Sequence, residues 1–240
     1  MHIRSGMLSG LTIMGVALLL GACGGGKSST GSRPVLNAAL PAVEADVDSG
    51  AKPNPDGFAF PNFGAAATSV EFGGSDMSEM FSANSEICVS QRDIPKGLCE
   101  LSAEARAWAR MVNQARVSGH CEGLAVLASS RFINKEEPKT ITLTQEEDLT
   151  HAIMRAFATQ FLDETQEATK TWAKKRPSEI VAALVDSLKQ GATSFTLGVY
   201  TDSGGHAVTH AIEQPAIAEA AISESVRAGR RSIGAVTPGG

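Results

Sequence analysis

The order of hydrophobic periodicities along the chain is what most constrains its fold. Four segments between residues 102 and 190 repeat apolar side chains at helical spacing, and the stretch after 194 alternates with a period of two. The helical segments begin near Ser102, Cys121, Thr144 and Ser178; Ser102 suits a helix cap, and Thr144 with Glu147 forms a capping-box pattern. Helices followed late by a hairpin predict an α+β domain.

The late alternation predicts a β-hairpin. Its first strand carries Phe195, Leu197 and Val199 on one face, and the tetrad 202–205 (Asp-Ser-Gly-Gly) can turn the chain back. The return strand carries four side chains on one face: His206, Val208, His210 and Ile212. The helix predicted from Cys121 to Phe132 is apolar nearly all round, which is typical of a buried helix.

The N-terminus has the organisation of an export signal. Arg4 precedes an apolar run over residues 7–20, which is too short to cross a bilayer comfortably. The sequence 20–23 (Leu-Gly-Ala-Cys) resembles the bacterial lipoprotein cleavage box. The resemblance implies a signal peptide over 1–22, lipidation of Cys23, and a membrane-anchored location in the bacterial cell envelope, on the exported side. An ordinary cleaved secretory signal is the alternative.

Residues 23–76 lack periodicity and are rich in Pro, Gly, Ala and Ser, which predicts a flexible tether between the lipid and a domain that begins at Met77. Four phenylalanines within it either dock on the domain or belong to a loosely ordered spacer: Phe58, Phe60, Phe63 and Phe72.

Charge and cysteine content bear on the partners of the chain and on its disulfide bonding. The chain has 26 acidic and 21 basic side chains, and its net charge of −5 argues against nucleic acid as a partner, because phosphate binding depends on a basic surface. In an exported protein Cys88 and Cys99 are expected to form a disulfide. Cys121 is then left without an obvious partner.

Cys121 is a candidate nucleophile. A thiolate is favoured at a helix N-terminus, where unpaired amides and the helix dipole oppose protonation, and the small neighbours Gly119 and Gly123 leave room for a substrate backbone. Thiol catalysis also needs a base that returns a proton to the leaving group. His206, at the start of the predicted return strand, is the best candidate.

The segments 119–125 (Gly-His-Cys-Glu-Gly-Leu-Ala) and 204–208 (Gly-Gly-His-Ala-Val) together resemble bacterial secreted papain-like cysteine peptidase domains. The match spans about residues 86–214 and includes paired cysteines and a Trp-bearing helix. It implies a papain-like domain over 77–214, a peptide or protein substrate, no cofactor, Cys121 as nucleophile and His206 as base. It also implies Asn113 or Gln114 as the oxyanion donor.

One departure from that family opens an alternative function. Papain-like sites orient the histidine with a later Asn or Asp, and none follows His206 in this sequence. The residues 215–240 form an atypical tail, which suggests a truncated or frame-shifted version of the family domain. The alternative to a thiol hydrolase is therefore a binding module that keeps the fold and has lost its catalysis.

A metal site is not expected. His206 and His210 lie on one strand face but are separated by about 13 Å along an extended strand, which is too far for one zinc ion that would also engage Cys121 or His120.

Overall fold

A computed structural model describes residues 48–89, 99–191, 195–201, 204–210 and 232–238 of the 240-residue chain. The predicted signal peptide, Cys23, the first half of the tether, Ile212 and residues 215–231 of the tail lie outside these residues. The α-helices are α1 (Pro53–Asp56), α2 (Gly74–Phe81), α3 (Ala103–Ala115), α4 (Cys121–Ile133), α5 (Glu147–Ala158), α6 (Asp163–Trp172) and α7 (Pro177–Lys189). The strands are β1 (Phe195–Thr201), β2 (Gly204–His210) and β3 (Ser232–Pro238).

The architecture confirms an α+β domain that is mostly helical. The strands form one antiparallel sheet in the order β2-β1-β3, and β1 with β2 is the predicted hairpin. Thr201 pairs with Gly204, so Gly204 and Gly205 lie in the strand and not in the connection, contrary to the predicted four-residue turn. The connection itself, 202–203, is outside the described residues.

Two of the predicted helix starts are confirmed at the predicted residue, and α7 begins at Pro177, one residue before the predicted Ser178. Ser102 caps α3, because its Oγ accepts a hydrogen bond from the Ala105 amide at 3.2 Å. The helix α4 begins at Cys121, directly after the Gly119-His120 pair. Both starts were recognisable because the signal is local: a capping side chain in one case and a glycine break in the other.

The predicted capping box of Thr144 and Glu147 is wrong. Helix α5 begins at Glu147 itself, and Thr144 Oγ1 donates instead to Glu146 Oε1 at 2.8 Å. Helix α6 was not predicted, since it buries none of its residues and so carries little apolar periodicity.

The residues 48–73, which we call the strap, pack against the helices. Phe63 and Phe72 are 8% and 2% exposed, and Phe58 stacks on Phe60 with ring centroids 5.1 Å apart. The packed region therefore extends back to residue 48 and does not begin at Met77. The prolines and glycines of the strap give it an irregular backbone, as expected for a spacer. The strap is nevertheless packed, because its phenylalanines supply the apolar surface that a spacer lacks.

The main core joins the strap to helices α2, α3 and α5. Trp108 is partly buried against this core and meets three rings nearly edge-on, those of Phe72, Phe81 and Phe161, with centroids 5.6 to 6.5 Å apart. The buried members of the cluster include Phe72, Met77, Val112 and Met154. A smaller cluster lies between α7 and β1, formed by Ile180, Leu184, Phe195 and Leu197.

The predicted disulfide between Cys88 and Cys99 is present. It fastens the end of the α2 region to the start of α3, where Cys88 also pairs with Leu101 in an isolated β-bridge. Helices long and apolar enough to cross a bilayer do not occur within the described ranges.

A buried carboxylate ties α2 to α5. Asp76 is fully buried; its Oδ1 lies 3.1 Å from Arg155 Nη1, and both oxygens lie 3.0 Å from His151 Nδ1. Its Oδ2 also accepts a bond from the Gly73 amide at the start of α2. The carboxylate is thus satisfied on all sides, which is the condition for burying a charge without a large penalty.

We expect Asp76→Asn to lower the free energy of unfolding by about 2–4 kcal/mol, because a neutral amide leaves Arg155 without its buried counter-charge. Urea denaturation measures the change. The exposed pair of Glu167 and Lys170 provides the control, since Glu167→Gln should leave stability nearly unchanged. Equal effects of the two substitutions would show that the buried pair does not hold α2 on α5.

Helices α4 and α5 approach closely at Gly123. A Cβ at this position would lie 2.9 Å from Phe157 Cβ and closer still to the Ile153 carbonyl oxygen. Gly123 is therefore required by helix packing.

We expect Gly123→Ala to destabilise the protein by about 2 kcal/mol, because the clash with backbone outweighs the gain of about 1 kcal/mol in helix propensity. Gly73→Ala is the matched control, since a Cβ there has its nearest neighbour at 4.0 Å. A Gly123→Ala protein as stable as the control in urea would refute the close approach.

Candidate functional site

Cys121 is the first residue of α4, and its side chain is half-buried outside any disulfide. The first hydrogen bond of the helix runs from the Leu124 amide to the His120 carbonyl at 2.9 Å. The amides of the first helical turn have no partner within the helix, so the thiol lies at the positive end of the helix dipole. This is the environment that the sequence predicts for a reactive cysteine.

The edge of the sheet meets this thiol. The Ala207 amide donates a hydrogen bond to Cys121 Sγ, with 3.5 Å between nitrogen and sulfur. Strand β2 lies at the edge of the described sheet, and no other described strand pairs with its outer side. The contact places Cys121 against the residue that directly follows His206, across 86 residues of sequence.

His206 pairs with Val199 across the hairpin, and its side chain is exposed, whereas that of the next residue, Ala207, is buried. Successive side chains of a strand point to opposite faces, so His206 and Ala207 lie on different faces of β2. The structure brings the strand carrying the predicted base to the helix end carrying the predicted nucleophile.

His120 precedes Cys121 and is fully buried. Its amide donates to Asn62 Oδ1 at 2.8 Å, and its Nδ1 lies 2.6 Å from the Phe63 carbonyl oxygen. Because a carbonyl only accepts, Nδ1 carries the proton. Burial is the main cause that lowers the pKa of His120, and the nearby charge of Arg116 lowers it further, so the ring is neutral at pH 7.

The two glycines beside the thiol were predicted to leave room for a substrate backbone. In the structure, that room is filled by neighbouring parts of the protein. Gly123 lies against α5, as described above. Gly119 adopts a φ of 151°, and a Cβ on it would strike the side-chain amide of Asn62. A side chain at residue 119 would therefore be excluded both by conformation and by the strap.

Asn113 has a different set of contacts from the one predicted. Its Nδ2 donates to the Phe72 carbonyl at 2.8 Å, while its Oδ1 accepts from the Phe72 amide at 3.0 Å and from Arg116 Nε at 2.8 Å. The carboxamide thus holds the strap on α3, and we leave Asn113 out of the site. Gln114 is exposed on the same helix.

Glu122 was not singled out from the sequence. Burial of this half-buried carboxyl, together with the negative charge of a deprotonated Cys121, raises the pKa of Glu122 to about 7. A carboxyl next to a helix start is common in sequences, so only its three-dimensional surroundings distinguish it. Asn62 was missed for a related reason, because it lies 58 residues before the amide that it bonds.

No metal centre is apparent in the part of the chain that the structure describes, where no three His, Cys, Asp or Glu side chains are grouped as ligands would be. The predicted absence of a metal among Cys121, His206 and His210 stays a prediction. A depression near the other end of α4 is lined by both acidic and basic side chains, namely Asp56, Arg131, Lys135, Glu136 and Lys139. The Arg131 guanidinium is bonded to Glu136 and to the Pro138 carbonyl.

Comparisons of the chain with protein-family models, with curated proteins and with solved structures find no match.

The pKa of Glu122 makes folding stability depend on pH. Because the pKa in the folded state, about 7, lies above the ordinary carboxyl value of 4.5, protonation of Glu122 favours the folded state. This contribution is fully present below pH 4.5 and is lost as the pH rises through 7.

We expect Glu122→Gln to remove this dependence, so that the variant gains up to roughly 3 kcal/mol relative to wild type between pH 5 and pH 8. Urea denaturation across that pH range measures it. Glu104→Gln, at an exposed position of α3, should follow the wild-type profile. Parallel profiles for all three proteins would contradict the buried environment of Glu122.

Proposed function

We propose that this chain is an envelope-anchored thiol hydrolase of the papain-like kind, in which Cys121 is the nucleophile and His206 its base. The observation that carries the proposal is the hydrogen bond from the Ala207 amide to Cys121 Sγ, which joins the two motif segments. The lipidated Cys23 is part of the same proposal and would hold the domain on the exported side of the membrane, near peptide or protein substrates.

Two features favour the thiolate of Cys121. The helix N-terminus supplies partial positive charge, and the Ala207 amide donates to the sulfur, which stabilises its charged form. A protonated His206 would add a full positive charge beside the thiolate. Such an ion pair is the reactive state of thiol hydrolases, because the thiolate is the nucleophile.

The proposed reaction is acyl transfer through a thioester. Cys121 Sγ attacks the carbonyl carbon, and His206 gives its proton to the leaving amine as the carbon–nitrogen bond breaks. Neutral His206 then takes a proton from water, whose oxygen attacks the thioester and releases the acid and the thiol. An amine in place of water would give peptidyl transfer by the same steps. Amides of the first turn of α4 are the proposed partners of the oxyanion.

The second candidate is a binding module of the same fold without catalysis. The specific observation in its favour is that residues 207–240 contain no Asn or Asp of the kind that orients the imidazole in papain-like sites. The two functions differ in whether Cys121 reacts.

Alkylation by iodoacetamide, read on the Cys121 peptide by mass spectrometry, tests the pair directly. We measure the pH at which the alkylation rate is half its maximum, the alkylation midpoint. In the wild type we expect this midpoint to lie well below the ordinary thiol pKa of about 8.5, because an imidazolium partner favours the thiolate. His206→Ala should raise the midpoint by about one pH unit or more.

His210→Ala is the matched control, since it removes the same side chain four residues along the same strand and should leave the midpoint unchanged. A wild-type midpoint near that of an ordinary thiol, unaffected by His206→Ala, would favour the binding module and refute the hydrolase.

A further inference from the structure

Two consecutive residues of the strap hold His120, the residue immediately before the proposed nucleophile. Asn62 Oδ1 accepts its amide hydrogen, and the Phe63 carbonyl accepts the Nδ1 hydrogen of its ring. The ring also stacks on Phe63, with centroids 4.5 Å apart, and meets Phe157 of α5 at 5.7 Å. His120 is therefore fixed through its backbone, its polar edge and its face.

This fixation has a stability cost that an apolar residue would avoid. The His120 Nε2 is buried and has no partner among the described residues. Leaving one such atom unbonded costs about 1–3 kcal/mol, whereas leucine or phenylalanine would fill the space without it. The neutral imidazole provides what an apolar side chain could not, a hydrogen-bond donor directed at the Phe63 carbonyl inside an apolar environment.

The exposed side chain of Asn62 reaches the same turn from outside. It accepts from the His120 amide, and it lies so close to Gly119 that any Cβ there would collide with it. Both residues that precede Cys121 are thus in contact with one side chain of the strap. A hydrogen bond within α4 cannot hold the His120 amide, since this amide precedes the helix.

The position of His120 sets the position of the thiol. Its carbonyl accepts the first hydrogen bond of α4, from Leu124 at 2.9 Å, so a displaced His120 moves the first turn of the helix. Cys121 lies in that turn and must stay within reach of the Ala207 amide on a separate element, β2. Errors of about 1 Å in such placement can cost about 100-fold in rate.

We propose that Asn62 and His120 are positioning residues for Cys121, and that the strap is an integral part of the active site. The inference rests on the proposed function and extends it: the segment that leads from the predicted lipid anchor into the domain also determines where the nucleophile lies.

Four charged or titratable residues are near the thiol along the chain or on the strand that contacts it. Glu122 follows it on α4, His206 lies on β2, and Arg116 and His120 precede it. A change at Asn62 removes none of these charged or titratable groups, so a shifted alkylation profile after that change reports the placement of the sulfur relative to them.

The test measures the pH midpoint of Cys121 alkylation by iodoacetamide together with the thermal melting temperature. Asn62→Ala should raise the midpoint by about half a pH unit or more and slow alkylation at pH 6 by about threefold or more, because the sulfur moves away from the groups that stabilise its charge. Asn134→Ala, at the other end of α4, is the matched control and should reproduce the wild-type profile.

A second pair of variants separates positioning from simple packing. His120→Leu removes the donor to Phe63 and should raise the midpoint as Asn62→Ala does, whereas His120→Asn places an amide N–H near the Nδ1 position and should restore most of the wild-type profile.

The possible outcomes are distinct. If the alkylation midpoint of the wild type is low and Asn62→Ala does not change it, the positioning role alone is overturned. A lower melting temperature of Asn62→Ala without a change in its midpoint would overturn that role too. Equal profiles for His120→Leu and His120→Asn would also overturn it. An ordinary wild-type midpoint would refute the proposed hydrolase, and this inference with it.

Discussion

The buried start of α4 is the constraint on which the rest of the structure depends. A helix that begins inside a protein must satisfy its first amides and accommodate the chain that leads into it. Here the strap satisfies the His120 amide, Gly119 allows the sharp entry, and Gly123 lets α5 lie against the first turn. The same end of the helix faces the open edge of β2, so four separate elements meet around one thiol.

Polar groups inside the domain are arranged as connectors between these elements. Asn113 and Arg116 of the α3 region bind the strap backbone at Phe72 and Val70, and Asp76 links α2 to α5. Each of these side chains is bonded to an element distant in sequence. Because a buried polar group without a partner is costly, the connectors favour one arrangement of the elements over others of similar apolar burial. The proposed pair of Cys121 and His206, which lie on two separate elements, would require that specificity.

Sequence reasoning succeeded where the deciding signals are local. The cap at Ser102, the break before Cys121 and the alternation after 194 each lie within a few residues of the element they define, and the structure confirms all three. At the strap, composition indicated a flexible tether, and of the two alternatives for its phenylalanines the structure shows packing on the domain for Phe63 and Phe72. Helix α6 was missed because its surface position leaves little periodicity. The role of Asn113 changed because its partner, Phe72, lies 41 residues earlier.

The sequence by itself determined that helices precede a hairpin, that a cysteine begins a helix and that a histidine lies on the return strand, since each follows from spacing and from turn residues within one segment. Only the tertiary structure decided which strand amide reaches the sulfur, that the strap packs on the domain, and that His120 is buried with its ring bonded to Phe63. These facts depend on contacts between segments far apart in the chain. Such contacts arise from the packing of whole elements, which no local pattern encodes.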